Sequence, residues 1–199
     1  MAVNFSESRT KENLMRAFAG ESQARNRYTI AAEKAEKAGM YTIADIFRYT
    51  ADQERAHAER YYELLKDLSG ETIHIDGTYP VDHQNSLAEL LRAAEHNEHE
   101  EYEDVYQAFG DTATEEGFHE AASAFYQIAE IEHTHELRFG KLAEMLEDNT
   151  YYGGGEVSKW MCTNCGYIHE GSQAPRFCPA CRHEQGYFIP YEFACYKGE

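Results

Sequence analysis

Between residues 9 and 147, apolar side chains recur at intervals of three, four and seven, the repeat of helices with one inward face. Four such runs are predicted. The first spans about Arg9 to Lys37 and stops at Ala38-Gly39, with Leu14, Phe18, Tyr28 and a line of alanines (Ala17, Ala24, Ala31) inside. The second spans about Tyr41 to Leu68 and stops at Gly70, its face reading Phe47, Thr50, Tyr61, Leu64, Leu68. The third opens on Ser86-Leu-Ala-Glu89, a capping box in which Ser and Glu satisfy backbone donors reciprocally, and continues through Leu91, Tyr102 and Phe109. The fourth begins after Gly110-Asp111 and runs to about Leu146 through Ala121, Phe125, Ile128, Phe139 and Leu142. Ser69 to Asn85, with Gly70, Gly77 and Pro80, is too long for a tight hairpin. It suits the one long crossover of a four-helix bundle whose second and third helices run parallel.

From Tyr151 onward the pattern changes to Gly, Cys, Tyr, Phe and Pro, which predicts short strands and turns. The chain therefore divides into a helical bundle over 1–148, a glycine-rich linker over 149–158 and a small module over 159–199. The net charge of −18 argues against nucleic-acid or anionic-membrane partners, because both would be repelled. No apolar run approaches the roughly 18 residues of a membrane span, and MAVNFSESRT lacks a signal-peptide core, so the expected compartment is the cytoplasm. All five cysteines follow residue 160, and four form two C-x-x-C pairs. Without a secretion signal, that spacing reads as metal binding rather than as disulfides.

The charge also enters the helix faces. Each apolar stripe is interrupted near its middle: by Glu21 on the first, Glu54 and His57 on the second, Glu95 and Glu98 on the third, and Glu132 and His135 on the fourth. Residues three apart share a helix face, so each Glu-x-x-His pair can reach one ion. An unpaired buried carboxylate costs on the order of several kcal/mol, so five in one core would rival the stability of a whole domain. Two divalent cations remove that difficulty. Oxygen-rich ligation with two histidines suits iron and leaves manganese open. A single Glu-x-x-His on an acidic helix is usually a solvated face; two copies at mid-stripe, opposed by carboxylates on the other two stripes, reverse that reading. Rival registers exist. Glu130 with His133 lies on a less apolar face, and Glu101 shares a face with Leu90, Ala94, Asn97 and Asp104, so Glu95 and Glu98 are preferred on the third helix.

Cys162, Cys165, Cys178 and Cys181, with 12 residues between the pairs, predict a tetrahedral four-thiolate site for one ion, iron or zinc. Trp160, Tyr167, Phe177, Tyr187, Phe188, Tyr191 and Phe193 are expected to form the core of that module, with Cys195 as a small buried hydrophobe.

The stretches AGESQARNRYT, TADQERAH, AAEHNEHEE, EIEHTHELRF and CTNCGYIHEGSQAPRFCPAC, in this order, resemble the rubrerythrin family over nearly the whole chain. The resemblance implies a ferritin-like di-iron bundle followed by a rubredoxin-like domain with one iron on the four cysteines. It implies that Glu54 and Glu132 bridge two irons, with Glu21 terminal on one and Glu95 and His135 terminal on the other. It assigns His57 and Glu98 to a redox-linked ligand exchange, Tyr28 to a supporting hydrogen bond, and a second such tyrosine to Tyr102 or Tyr106. Arg182 stands where free rubredoxins usually have Gly. The implied activity is reduction of hydrogen peroxide to water, protecting against oxidative stress. Electrons would come from a protein such as a rubredoxin or an NAD(P)H-dependent reductase. A homodimer or higher oligomer is implied, in which one chain's cysteine site approaches its partner's di-iron site. The alternatives are a ferroxidase or iron-storage protein of ferritin type, and a non-enzymatic metal-binding protein with a structural zinc ribbon.

Overall fold

The computed structural model describes residues 3–196; the outermost residues of the two expected domains lie outside them. Helix α1 (Arg9–Lys37) starts where the Ser8 hydroxyl accepts the Lys11 N–H at 3.0 Å and ends at Gly39, whose φ of +73° turns the chain back. Helix α2 (Tyr41–Glu63) is shorter than the periodicity predicts, because the chain tightens into a separate 3-10 turn at Lys66–Leu68. The crossover then runs along α1 in the same direction as that helix. Asp76 meets Arg16 at 2.7 Å, Asp82 meets Arg27 at 2.7 Å, and the Gln84 carbonyl accepts from Lys34 at 2.5 Å. This path delivers the chain to the far end of α1, so α3 (Leu87–Glu100), opened by the Ser86/Glu89 capping box, runs parallel to α2.

The third helix of the bundle differs from expectation in two ways. After α3 it widens into a π turn over Glu101–Val105, where the Tyr106 N–H reaches back five residues to the Glu101 carbonyl. It then continues as α4 (Tyr106–Glu116) straight through Gly110, which sequence reading takes as the break. Gly110 serves packing: a Cβ there would overlap the ring of Tyr126. The real stop is Gly117, at φ +87°, and the last helix, α5, spans His119–Glu147.

Two apolar clusters fill the bundle. One gathers Tyr28, Phe47, Leu91, Phe139 and Leu142; the other gathers Leu14, Tyr61, Tyr106, Phe125 and Ile128. Between them, in sequence and along every long helix, lies a layer of buried Glu and His.

The C-terminal module is a three-stranded antiparallel sheet in the order β2-β1-β3, formed by β1 (Gly153–Cys162), β2 (Ile168–Gln173) and β3 (Phe188–Pro190). The expected linker is not free. Tyr151 is buried in the bundle core, its hydroxyl 2.9 Å from that of Thr42, and its carbonyl accepts the Trp160 indole N–H at 2.9 Å. Tyr187 packs on Tyr41 with ring centres 4.5 Å apart, and Gly186 lies so close to the Gly39 carbonyl that any Cβ would collide. The module is thus seated on the α1–α2 turn. Two expectations about its core are corrected. Phe177 is half exposed beneath the Arg182 guanidinium, and Cys195 is exposed because the chain turns outward at Tyr196 (φ +54°) and buries Ala194 instead.

Candidate metal centres

Six side chains meet in the polar layer, as two groups that share Glu54 and Glu132. Glu21, Glu54, His57 and Glu132 offer donor atoms all within 4.8 Å of one another, and so do Glu54, Glu98, Glu132 and His135. Two overlapping four-donor groups with two common carboxylates are the arrangement in which the shared pair can bridge two ions. The helix repeat explains the gathering, since Glu54/His57 and Glu132/His135 are three apart on facing helices. The imidazoles lie 5.8 Å apart, nearly parallel. His57 Nδ1 is 2.9 Å from Glu132 and 3.2 Å from Glu54; His135 Nδ1 is 2.7 Å from Glu132 and 3.1 Å from Glu54.

Short distances do not mean satisfied groups. One oxygen each of Glu21 and Glu54, both oxygens of Glu132 and both nitrogens of His135 are buried without a directed hydrogen bond. Burial pushes the carboxyls of Glu54 and Glu132 above their ordinary range and that of Glu21 up to about 8. Burial pulls both imidazoles down, but the facing carboxylates outweigh it and raise them, His135 to about 12. A core that holds this many orphaned donors is unfavourable without cations. The donor set, carboxylate-rich with two imidazoles, fits a pair of divalent ions such as iron or manganese.

Two tyrosines brace the layer. Tyr28 donates to Glu98, and Tyr106 donates to Glu21 at 2.5 Å. Burial raises both phenols well above their ordinary value, which keeps them protonated as donors. Tyr106 is therefore the second supporting tyrosine; Tyr102 stacks on His133 instead, ring centres 4.4 Å apart.

The third helix requires a correction of register. Glu95 lies outside the layer, with its carboxylate paired to Arg92 at 2.8 Å and lying over Gly140. Glu98 occupies the place expected of Glu95, beside His135 and away from His57. Glu101, three residues beyond Glu98, borders the layer as well. Burial raises the Glu101 carboxyl well above its ordinary value, and the charges of Glu21, Glu98, Glu132 and Glu54 add to that, Glu21 most. The π turn shifts the register of this helix. Its extra residue sets Phe109 in line with Glu101 and Ala94, whereas an unbroken helix puts it in line with Glu98 and Tyr102. Asn97, on the face that sequence reading shares with Glu101 and does not prefer, is buried and donates to Asp82 of the crossover at 2.9 Å. Leu90, Ala94 and Asn97 thus mark the inner face on which Glu101 sits, the one signal that could have found it.

The four cysteines also converge, with Sγ–Sγ separations of 3.7 Å for Cys162–Cys181 and for Cys165–Cys178. The two knuckles repeat each other. Cys162 N–H donates to the Tyr167 carbonyl and Cys178 N–H to that of His183, each at 2.8 Å, and Gly166 and Arg182 follow at φ +77° and +66°. Arg182 therefore adopts the left-handed conformation that glycine takes in the other knuckle. Backbone N–H groups face the sulfurs; the one from His183 lowers the Cys181 thiol to about 6, whereas burial raises Cys162 to about 12. Four sulfurs around one point with N–H donors directed at them suit a single thiophilic ion.

Residues 12–143 match the sequence profile of the family described as Rubrerythrin, and residues 160–189 that of the Rubrerythrin, rubredoxin-like domain. The chain is 47% identical over 182 residues to a rubrerythrin of Clostridium perfringens, covering 91% of this chain and 93% of that one. It is 46% identical over 183 residues to a rubrerythrin of Porphyromonas gingivalis, covering 92% and 90%. Among solved structures, a nigerythrin described as fully reduced, all ferrous, superposes with a TM-score of 0.63 at 29% identity, over 96% of this chain and 94% of that one. With a carboxylate–histidine layer in a ferritin-like bundle and a four-cysteine knuckle after it, this chain belongs to the rubrerythrin family.

Proposed function

We propose that the protein is a non-haem di-iron peroxidase that reduces hydrogen peroxide to water in the cytoplasm, with electrons relayed through iron on the four cysteines. The observation that carries this reading is the pairing of a dinuclear carboxylate–histidine layer with a four-thiolate knuckle in one chain. Two ferrous ions, when bound, supply the two electrons that split one O–O bond. The protein's residues do the rest. Glu54 and Glu132 would be shared by the two ions, Glu21 and His57 would complete the hold on one, and Glu98 and His135 on the other. Tyr106 and Tyr28 fix the Glu21 and Glu98 carboxylates by donating to them. Glu101, on which Glu21 exerts the largest charge effect among the layer's carboxylates, is the residue that this reading has alternate with His57.

Thr42, beside the module, lies 12 residues from Glu54, a separation of about 18 Å along a helix. Electron delivery within one chain is therefore long, which favours a homodimer in which the knuckle serves the partner's bundle. A rubredoxin or an NAD(P)H-dependent reductase is the class of donor that fits. The fused knuckle speaks against ferritin-type storage. A colourless protein carrying zinc on its cysteines would favour the structural alternative.

The test is metal analysis of the isolated protein, followed by anaerobic reduction and titration with hydrogen peroxide. The expected result is about three irons per chain and one peroxide consumed per di-iron site. Cys162→Ser should lose the visible ferric–thiolate colour and block re-reduction while one turnover of peroxide persists. Peroxide-inert, fully reduced iron protein would overturn the reading.

A further inference from the structure

Beside the polar layer lies a cavity of about 620 Å³, between α1, the crossover at Asp76–Pro80 and the π turn. Two of its lining residues belong to the metal layer's own surroundings. Tyr106 donates to Glu21 at 2.5 Å, and Glu101 lies within the charge field of Glu21, Glu98, Glu132 and Glu54. The cavity therefore reaches residues that border the layer. Its roof is Tyr79, whose hydroxyl donates to the Arg16 carbonyl at 3.3 Å, and Arg16 also holds Asp76. Apolar surface dominates the lining, from Ala17, Pro80, Val105, Ala108 and Phe109.

Hydrogen peroxide does not need such a space. A water occupies about 30 Å³ of liquid, so a two-oxygen molecule needs on the order of a tenth of this cavity. Pockets of about 300 to 1,000 Å³ with apolar walls are of the size that holds small organic ligands. Exposed Glu100 and Asp104 in the lining, on a chain of net charge −18, disfavour anions. We infer that this cavity admits neutral organic hydroperoxides, with the alkyl or aryl group against Ala108 and Phe109 and the O–O group at Glu101. The inference rests on the peroxidase reading above. The reaction is ROOH + 2 e⁻ + 2 H⁺ → ROH + H₂O. The O–O bond breaks, the two electrons being those that a bound ferrous pair would supply, and each oxygen left behind takes a proton from solvent.

The test uses the iron-loaded full chain with cumene hydroperoxide and hydrogen peroxide in parallel. Ala108→Trp and Thr78→Trp fill the cavity from opposite sides at exposed positions. Each is expected to lower kcat/KM for cumene hydroperoxide at least tenfold more than for hydrogen peroxide. In wild type, a 4-carboxy analogue should react at least tenfold more slowly than cumene hydroperoxide. Binding is read separately on zinc-loaded, redox-inert protein by saturation-transfer NMR with cumyl alcohol, the reaction's product; both variants should lose the signal. Reduction of hydrogen peroxide without reduction of cumene hydroperoxide overturns this inference and leaves the peroxidase reading intact. Reduction of neither overturns both. Equal losses for the two peroxides, or a cumyl alcohol signal that persists in both variants, places organic binding elsewhere and overturns the inference.

Discussion

Removing the metals should invert the protein's response to pH. In the metal-free chain, burial raises Glu21 to about 8 and lifts Glu54, Glu132 and Glu101 in the same direction. The unfolded chain ionises these groups near the ordinary 4.5. Between 4.5 and about 8, the folded state therefore holds protons that the unfolded state has lost, and stability falls as pH rises. His57 and His135, raised by their carboxylate neighbours, act in the same sense above their ordinary 6.5. At about 1.4 kcal/mol per pH unit for each proton, Glu21 alone removes roughly 5 kcal/mol across its window. A domain's whole stability is about 5 to 15 kcal/mol. With about 2 to 4 °C per kcal/mol for a chain of this size, the metal-free protein should melt at least about 10 °C lower at pH 8 than at pH 5. The metal-loaded protein should show no such decline, because cations replace the protons and are held more tightly as pH rises. The assay is thermal unfolding by circular dichroism of chelator-treated and iron-loaded protein across that range. A metal-free melting temperature that is flat or rises with pH would refute the claim that the layer's carboxylates need cations.

The corrected register makes a paired prediction. Glu95→Gln removes only a partly exposed ion pair with Arg92 and should cost under about 1 kcal/mol with iron content unchanged, whereas Glu101→Gln should slow peroxide turnover by about tenfold or more; equal effects in steady-state assays and metal analysis would restore the original register. Gly186→Ala forces a Cβ into the Gly39 carbonyl and should destabilise the seated module by about 1 to 3 kcal/mol in denaturant titrations. Asp82→Ala leaves Arg27 and Asn97 without their shared partner, at about 1 to 3 kcal/mol. Hydrogen exchange should then quicken across the crossover, and unchanged protection of residues 76–84 would show that the latch does not hold it.

Much of this protein was legible in one dimension. Helix periodicity marked four inward faces, and the carboxylates and histidines that interrupt them identified Glu21, Glu54, His57, Glu98, Glu132 and His135, because a residue three positions on returns to the same face whatever lies around it. The cysteine spacing identified the knuckles because each C-x-x-C pair closes one tight turn that brings its two sulfurs together. What failed depended on contacts distant in sequence. A single extra residue in the π turn slides every later side chain by one position, and no local signal announces it, so periodicity admits Glu95 to the layer where the folded helix brings in Glu98 alone of the two. Gly110 could not be told from a helix stop until Tyr126 packed against it, nor the glycine-rich stretch from a free linker until Tyr151 entered the bundle core. Sequence determined which chemistry the chain carries. Tertiary packing decided which carboxylates enter the layer, where the module sits and what lines the cavity beside it, because each depends on surfaces that meet only after folding.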